Sequence, residues 1–247
     1  MTAGLPTTAS LGVVAGSVIL GVLAGSAAPV LARRFVAVTG VHGPLGQAGV
    51  PPRFAGCFVL PTGAHRLPMS PAAVPRWPVP ALAGAVVFAG LAVARGDDPG
   101  LPVFLLVAAI GLVLAVVDLI CLRLPDLLVA AAAGGGVLGL GVVALATGTP
   151  ARFPMMAAGT AVSLAVYLTL AVLPRSRLGF GDVKLAAALG PALGWAGWSA
   201  LGWGLALPHV LAGVTALVLL ATHRVRPDTP LPFGPAILCA TWLALLA

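Results

Sequence analysis

Apolar residues fall into long runs separated by short polar or turn-forming breaks, and this pattern dominates the chain. The runs predict helices near 11–31, 78–94, 101–122, 127–147, 154–173, 183–196, 199–222 and 232–247. The first run, Leu11 to Leu31, has 21 residues, enough to cross a hydrocarbon layer of about 30 Å. It lacks a basic segment in front of it, so a retained span is expected rather than a removable signal. Val183 to Thr222 is 40 residues long, about twice one span, and the cluster Gly194-Trp195-Ala196-Gly197-Trp198 is its natural turn. The last run contains Pro232 and Pro235 and is expected to be irregular or partly embedded.

Between the first two runs, Phe35 to Trp77 is rich in Pro and Gly and has little helical periodicity. The predicted division is therefore 1–34 as a leading transmembrane helix, 35–77 as a Pro/Gly-rich cytoplasmic loop, and 78–247 as a membrane domain. Apolar residues make up 60% of the chain and charged residues 8%, which excludes an ordinary soluble domain. The expected fold is an all-α, polytopic membrane bundle of about eight transmembrane helices. The Ala/Gly-rich fourth run (AAAAGGGVLGLG) is expected to make a close helix contact, because small residues let backbones approach in lipid.

Net charge is +7, but its distribution points to membrane orientation and away from nucleic acid. With eight alternating spans, Arg33, Arg34, Arg53, Arg66, Arg76, Arg123, Arg175, Arg177, Lys184, Arg224 and Arg226 share one side. Only Arg95 and Arg152 fall on the other. That bias makes the first side cytoplasmic and places the amino terminus outside.

All six acidic residues are Asp. Asp118 closes one apolar run and Asp182 sits at the mouth of another, where a carboxylate is costly and calls for a functional explanation. Both approach the predicted cytoplasmic face. Asp118 precedes Arg123 by about one and a half turns at roughly 3.6 residues per turn, so Arg123 reaches the headgroups while Asp118 stays deeper. Pro125 and Asp126 suit the start of the next helix, Asp126 in its first turn or as its cap. Gly179 and Gly181 flank Phe180 and are expected to leave a flexible backbone before Asp182, open to φ > 0 and to close approach of a substrate strand. Two carboxylates in a site of low dielectric share one proton and serve together as general base and general acid. Which aspartate takes which part stays open, because a coupled pair titrates as a unit.

Blander readings stand beside this one. Asp182 suits the positive end of a helix, and Asp118 could partner Arg123 or Lys184. Lys184 reads as a snorkelling interfacial lysine. His209, after Pro208, reads as a buried neutral histidine at a kink, and Asp97 and Asp98 as a solvated turn. The three cysteines form no CxxC pair, so neither a zinc ribbon nor a disulfide framework is indicated. HExxH and phosphate-loop motifs are absent from the sequence.

Three segments occur in order: Asp118-Leu-Ile-Cys-Leu-Arg123-Leu-Pro125-Asp126, then Gly179-Phe180-Gly181-Asp182-Val183-Lys184, then Pro232-Phe233-Gly234-Pro235. Together they resemble the type IV prepilin peptidase family, GxGD-type intramembrane aspartyl proteases, from about Pro102 to the end. The resemblance makes Asp118 and Asp182 the catalytic pair, with Arg123, Pro125, Asp126, Gly179, Gly181, Lys184 and the Pro232–Pro235 element shaping the site. It implies a multi-pass protein of the cytoplasmic membrane, embedded in the lipid bilayer, that cuts the basic leader from prepilin-like proteins. Such cleavage supports assembly of pili or secretion pseudopili. Longer members also methylate the product with S-adenosylmethionine and carry a four-cysteine zinc site in the first cytoplasmic loop. Here that loop holds only Cys57, so neither zinc nor S-adenosylmethionine is expected. A proton- or ion-coupled carrier and an inactive pilus assembly factor are the competing functions.

Overall fold

The structure, a computed structural model, describes residues 8–38, 78–174, 176, 178–224, 229 and 231–247. Most of the expected cytoplasmic loop, including Cys57, lies outside them, as do Arg175, Arg177 and Arg226. The described residues form eight helices and no strand. They are α1 (Thr8–Val38), α2 (Val79–Arg95), α3 (Leu101–Cys121), α4 (Asp126–Ala146), α5 (Arg152–Val172), α6 (Phe180–Ala196), α7 (Trp198–Ala221) and α8 (Gly234–Leu246). α1, α3, α4, α5 and α7 are long and apolar enough to cross a membrane; α2 and α8 are shorter apolar helices. Large apolar side chains such as Val93, Leu138 and Leu217 are 66–73% exposed, which in water would be an extreme surface and in lipid is the ordinary one.

Boundaries follow local chemistry. Pro80 and Pro235 stand in the first turns of α2 and α8, where a missing N–H costs nothing. The long apolar stretch breaks at Gly197, whose φ of 113° is open to glycine and strained for other residues. That single residue joins α6 to α7. Two starts and ends differ from the sequence pattern. α1 continues to Val38, so the first four residues of the expected loop, 35–38, are helical. α6 starts at Phe180, taking in the residues expected to be flexible. The last run does form a regular helix from Gly234 onward.

α4 makes the expected close contact at Gly136, where a Cβ would lie 3.9 Å from the Ala188 carbonyl of α6, but the tightest backbone approaches are at two other seams. On α1 and α2, a Cβ at Gly21 would strike the Gly84 carbonyl and one at Gly25 the Pro80 carbonyl. On α5 and α6, a Cβ at Gly159 would strike the Gly190 carbonyl and one at Gly194 the Met155 carbonyl. By contrast Gly134 of α4 has nothing within 4 Å, and Gly139 is approached by the Val103 side chain rather than by backbone. Glycine lets two helices touch through their main chains, and in lipid this contact substitutes for a hydrophobic driving force. Gly190→Ala places its Cβ 2.6 Å from the Thr160 Cα, so the seam must open. The expected loss is about 1–3 kcal/mol, read as a lowered unfolding temperature in detergent.

The helices alternate, and polar contacts mark one end. Arg95 Nε donates to the Leu245 carbonyl at 2.7 Å. Arg152 donates to the Trp195 carbonyl at 2.5 Å and its guanidinium lies 5.0 Å from the indole centroid. The Trp195 indole N–H in turn donates to the Asp98 carboxylate at 3.1 Å. Asp98 also accepts the Gly100 N–H at 2.7 Å, so it is a structural link between α2–α3 and α6 rather than a solvated turn residue. The opposite end holds Arg33, Arg34, Arg123, Lys184, Arg224 and both unusual aspartates.

Candidate active site

α3 is apolar on all sides until Asp118, which is buried at 5% exposure. Three residues after the aspartate the helix closes, and Leu122 turns the chain with φ 51° while its N–H donates to the Asp118 carbonyl at 2.8 Å. This left-handed residue without a glycine's freedom is strained, and it ends the helix one turn beyond the carboxylate. The turn carries Leu124 to the start of α6, where a Cβ on Gly181 would lie 3.4 Å from the Leu124 Cβ.

The Asp118 side chain meets α8. Its Oδ2 accepts the Gly234 N–H at 3.0 Å in a buried hydrogen bond between residues 116 apart in sequence. Gly234 is itself buried, and a Cβ there would come 2.8 Å from that oxygen. Of the Pro232–Pro235 element, the residue that touches a catalytic candidate is therefore the glycine, through its main chain. Pro235 borders an apolar groove of about 480 Å³ between α2, α3, α6 and α8.

Asp182 is the third residue of α6, half-buried, and its Oδ2 accepts the Gly179 N–H at 3.2 Å. This bond is half of a capping box, and the helix N-terminus favours a carboxylate there. The glycines work differently from the expectation. Gly179 has φ −75° and Gly181 is helical, so neither uses positive φ. Gly179 supplies a donor, and Gly181 leaves room for Leu124. Asp118, before the R-x-P-D turn, and Asp182, in the GxGD segment, thus stand at one end of the bundle, near the close of α3 and at the start of α6.

Asp126 opens α4 with Pro125 as the N-cap residue and makes no capping bond. Its Oδ1 instead pairs with Lys184 Nζ at 2.8 Å, with the two side chains 70% and 55% exposed. The pair ties the α4 start to the α6 start. Lys184→Met should change stability by less than about 1 kcal/mol, as an exposed ion pair does, measured by unfolding in detergent. Arg123 is exposed beside them.

Sequence reasoning missed an aromatic group beside Asp182. Tyr167 of α5, fully buried, has its ring centroid 5.7 Å from His209 of α7 and 6.4 Å from Phe233. His209 and Phe233 lie 5.7 Å apart. His209 is exposed at the α7 surface, not buried as expected, with Nδ1 3.0 Å from the Leu205 carbonyl. The available signal was the chain's single tyrosine, set in a predominantly apolar helix. Among the described residues no group of three or more His, Cys, Asp or Glu could hold a metal.

The profile of the type IV leader peptidase family matches residues 104–223. A prepilin leader peptidase/N-methyltransferase of Aeromonas hydrophila is 30% identical over 175 residues, covering 69% of this chain and 58% of the relative. The protein of the same name from Stutzerimonas stutzeri is 41% identical over 69 residues, 28% of this chain and 23% of the relative. That from Pseudomonas aeruginosa is 36% identical over a stretch of the same length. The chain thus spans little more than half of the first of these relatives and under a quarter of the other two. No solved structure matches it. With Asp118, Asp126 and Asp182 all inside the matched segment, the chain belongs to the type IV leader peptidase family.

Proposed function

We propose that this protein is an aspartic endopeptidase that removes the leader of prepilin-like proteins at the cytoplasmic face of the cell membrane. The observation that carries the reading is the convergence of Asp118 and Asp182. They lie on α3 and α6, at the same end of the bundle, one held by Gly234 N–H and the other by Gly179 N–H. Among the described residues that end also carries Arg33, Arg34, Arg123, Lys184 and Arg224, against Arg95 and Arg152 at the other, and the rule of positive residues inside makes it cytoplasmic.

The chemistry needs no group beyond the two acids and water. The ionised carboxylate takes a proton from a water as the water oxygen bonds to the scissile carbonyl carbon, and the protonated carboxyl supports the carbonyl oxygen. Collapse of the tetrahedral intermediate breaks the C–N bond, with a proton passing to the leaving nitrogen. One carboxyl and one carboxylate remain, so the pair is restored. A substrate with a basic leader and an apolar helix fits a site at the headgroup level. We assign leader cleavage alone, without methyl transfer, because the loop 35–77 offers one cysteine where a zinc site would need four. An ion carrier would place acids near the membrane midplane, and these two sit at a helix end and a helix start. The test is cleavage of a prepilin-like substrate in membranes carrying the native chain; no cleavage across several such substrates would overturn the reading.

A further inference from the structure

Tyr167 is the chain's single tyrosine. It is 0% exposed, and its hydroxyl, like those of Ser163 and Thr241, has no hydrogen-bond partner among the described residues. A buried phenol almost always has one, and the surroundings of the ring say which group it can serve. The ring packs against Phe233, the residue before the glycine that holds Asp118. The antiparallel register that sets Gly159 against Gly190 and Met155 against Gly194 also sets Tyr167 level with Asp182. α5 and α6 are sealed backbone to backbone at Gly159, Gly190 and Gly194, so Tyr167 and Asp182 belong to one rigid pair of helices and keep their relation when other helices move.

We propose that Tyr167 is a positioning residue for Asp182, its phenol donating a hydrogen bond to that carboxylate through one bound water. The proposal rests on the reading of Asp118 and Asp182 as the catalytic pair. A phenol donor fixes the orientation of the carboxylate and favours its ionised form, which is the form that takes a proton from water. The ring, braced between His209 and Phe233, holds the donor in place.

Two measurements test it. In cleavage assays Tyr167→Phe keeps the ring and its packing, so a merely structural role would leave kcat intact. The expected result is a fall in kcat of at least about tenfold with KM within about twofold, the signature of an interaction made in the transition state. Native kcat in Tyr167→Phe overturns the proposal. Independently of activity, tyrosine labelled with ¹³C at Cζ gives one resonance from the full chain in detergent micelles. Other ionising or charged groups at this end are Arg33 and Arg34 of α1, Asp118 and Cys121 of α3, Arg123, Asp126 of α4, Lys184 of α6, His209 of α7, and His223 and Arg224 after α7. The resonance is expected to titrate with pH, to keep that transition in His209→Gln, and to lose it in Asp182→Asn. A transition that vanishes in His209→Gln and survives in Asp182→Asn, or no transition, overturns the link. If the native chain cuts no substrate, the peptidase reading fails while the resonance still decides whether Tyr167 answers to Asp182.

Discussion

Asp118→Asn and Asp182→Asn each lower leader cleavage by at least about 10³-fold, within the range that general acid–base groups contribute. Asn is the appropriate replacement because of the two observed hydrogen bonds. An amide oxygen at 118 still accepts the Gly234 N–H, and one at 182 still accepts the Gly179 N–H. Each variant therefore keeps its cap and loses only the ionisable group. The double variant should cut no more slowly than either single one, since residues acting as a unit are strongly non-additive. Cleavage is measured in membranes at matched protein levels. Normal cutting by both single variants would show the acids to be structural.

Gly234→Ala is the second large effect. Its Cβ would sit 2.8 Å from Asp118 Oδ2 and 3.2 Å from the carboxyl carbon, too close for either to stay. The carboxylate must swing away or α8 must shift, and in both cases the buried N–H bond is lost. A displacement of about 1 Å at a reacting group is worth roughly 10² in rate, and that loss is expected here with the protein still inserted. Gly202→Ala, where nothing lies within 4 Å, is the control and should be silent. Equal activity of the two variants would mean that the Gly234 contact does not position Asp118.

Much of this was legible in the sequence, because the runs of apolar residues are set by bilayer thickness and the acids stand out against them. The eight helices, the break at Gly197 and the choice of Asp118 and Asp182 as candidates all come from that contrast. The start of α6 was not, because Gly-Phe-Gly reads as flexible until Asp182 is seen reaching back to the Gly179 N–H. Composition pointed to α4, which does approach α6 at Gly136, but not to the tighter seams, which lie where two sparse glycine sets, Gly21 with Gly84 and Gly159 with Gly190, face each other. Only a tertiary contact can show that. The same holds for Asp98, which reads as a polar turn until the buried Trp195 indole, far along the chain, is found donating to it.

The hydrogen bond from Gly234 to Asp118 also redraws the smallest working unit. The family profile ends at residue 223, yet the donor for one catalytic candidate lies on α8, beyond that point. Similarity and self-sufficiency therefore have different borders. A shortened protein stopped after α7 would retain both aspartates but only one of their anchors. Supplied separately, α8 would behave as a missing cofactor made of polypeptide, docking through its buried face and delivering a main-chain N–H to Asp118.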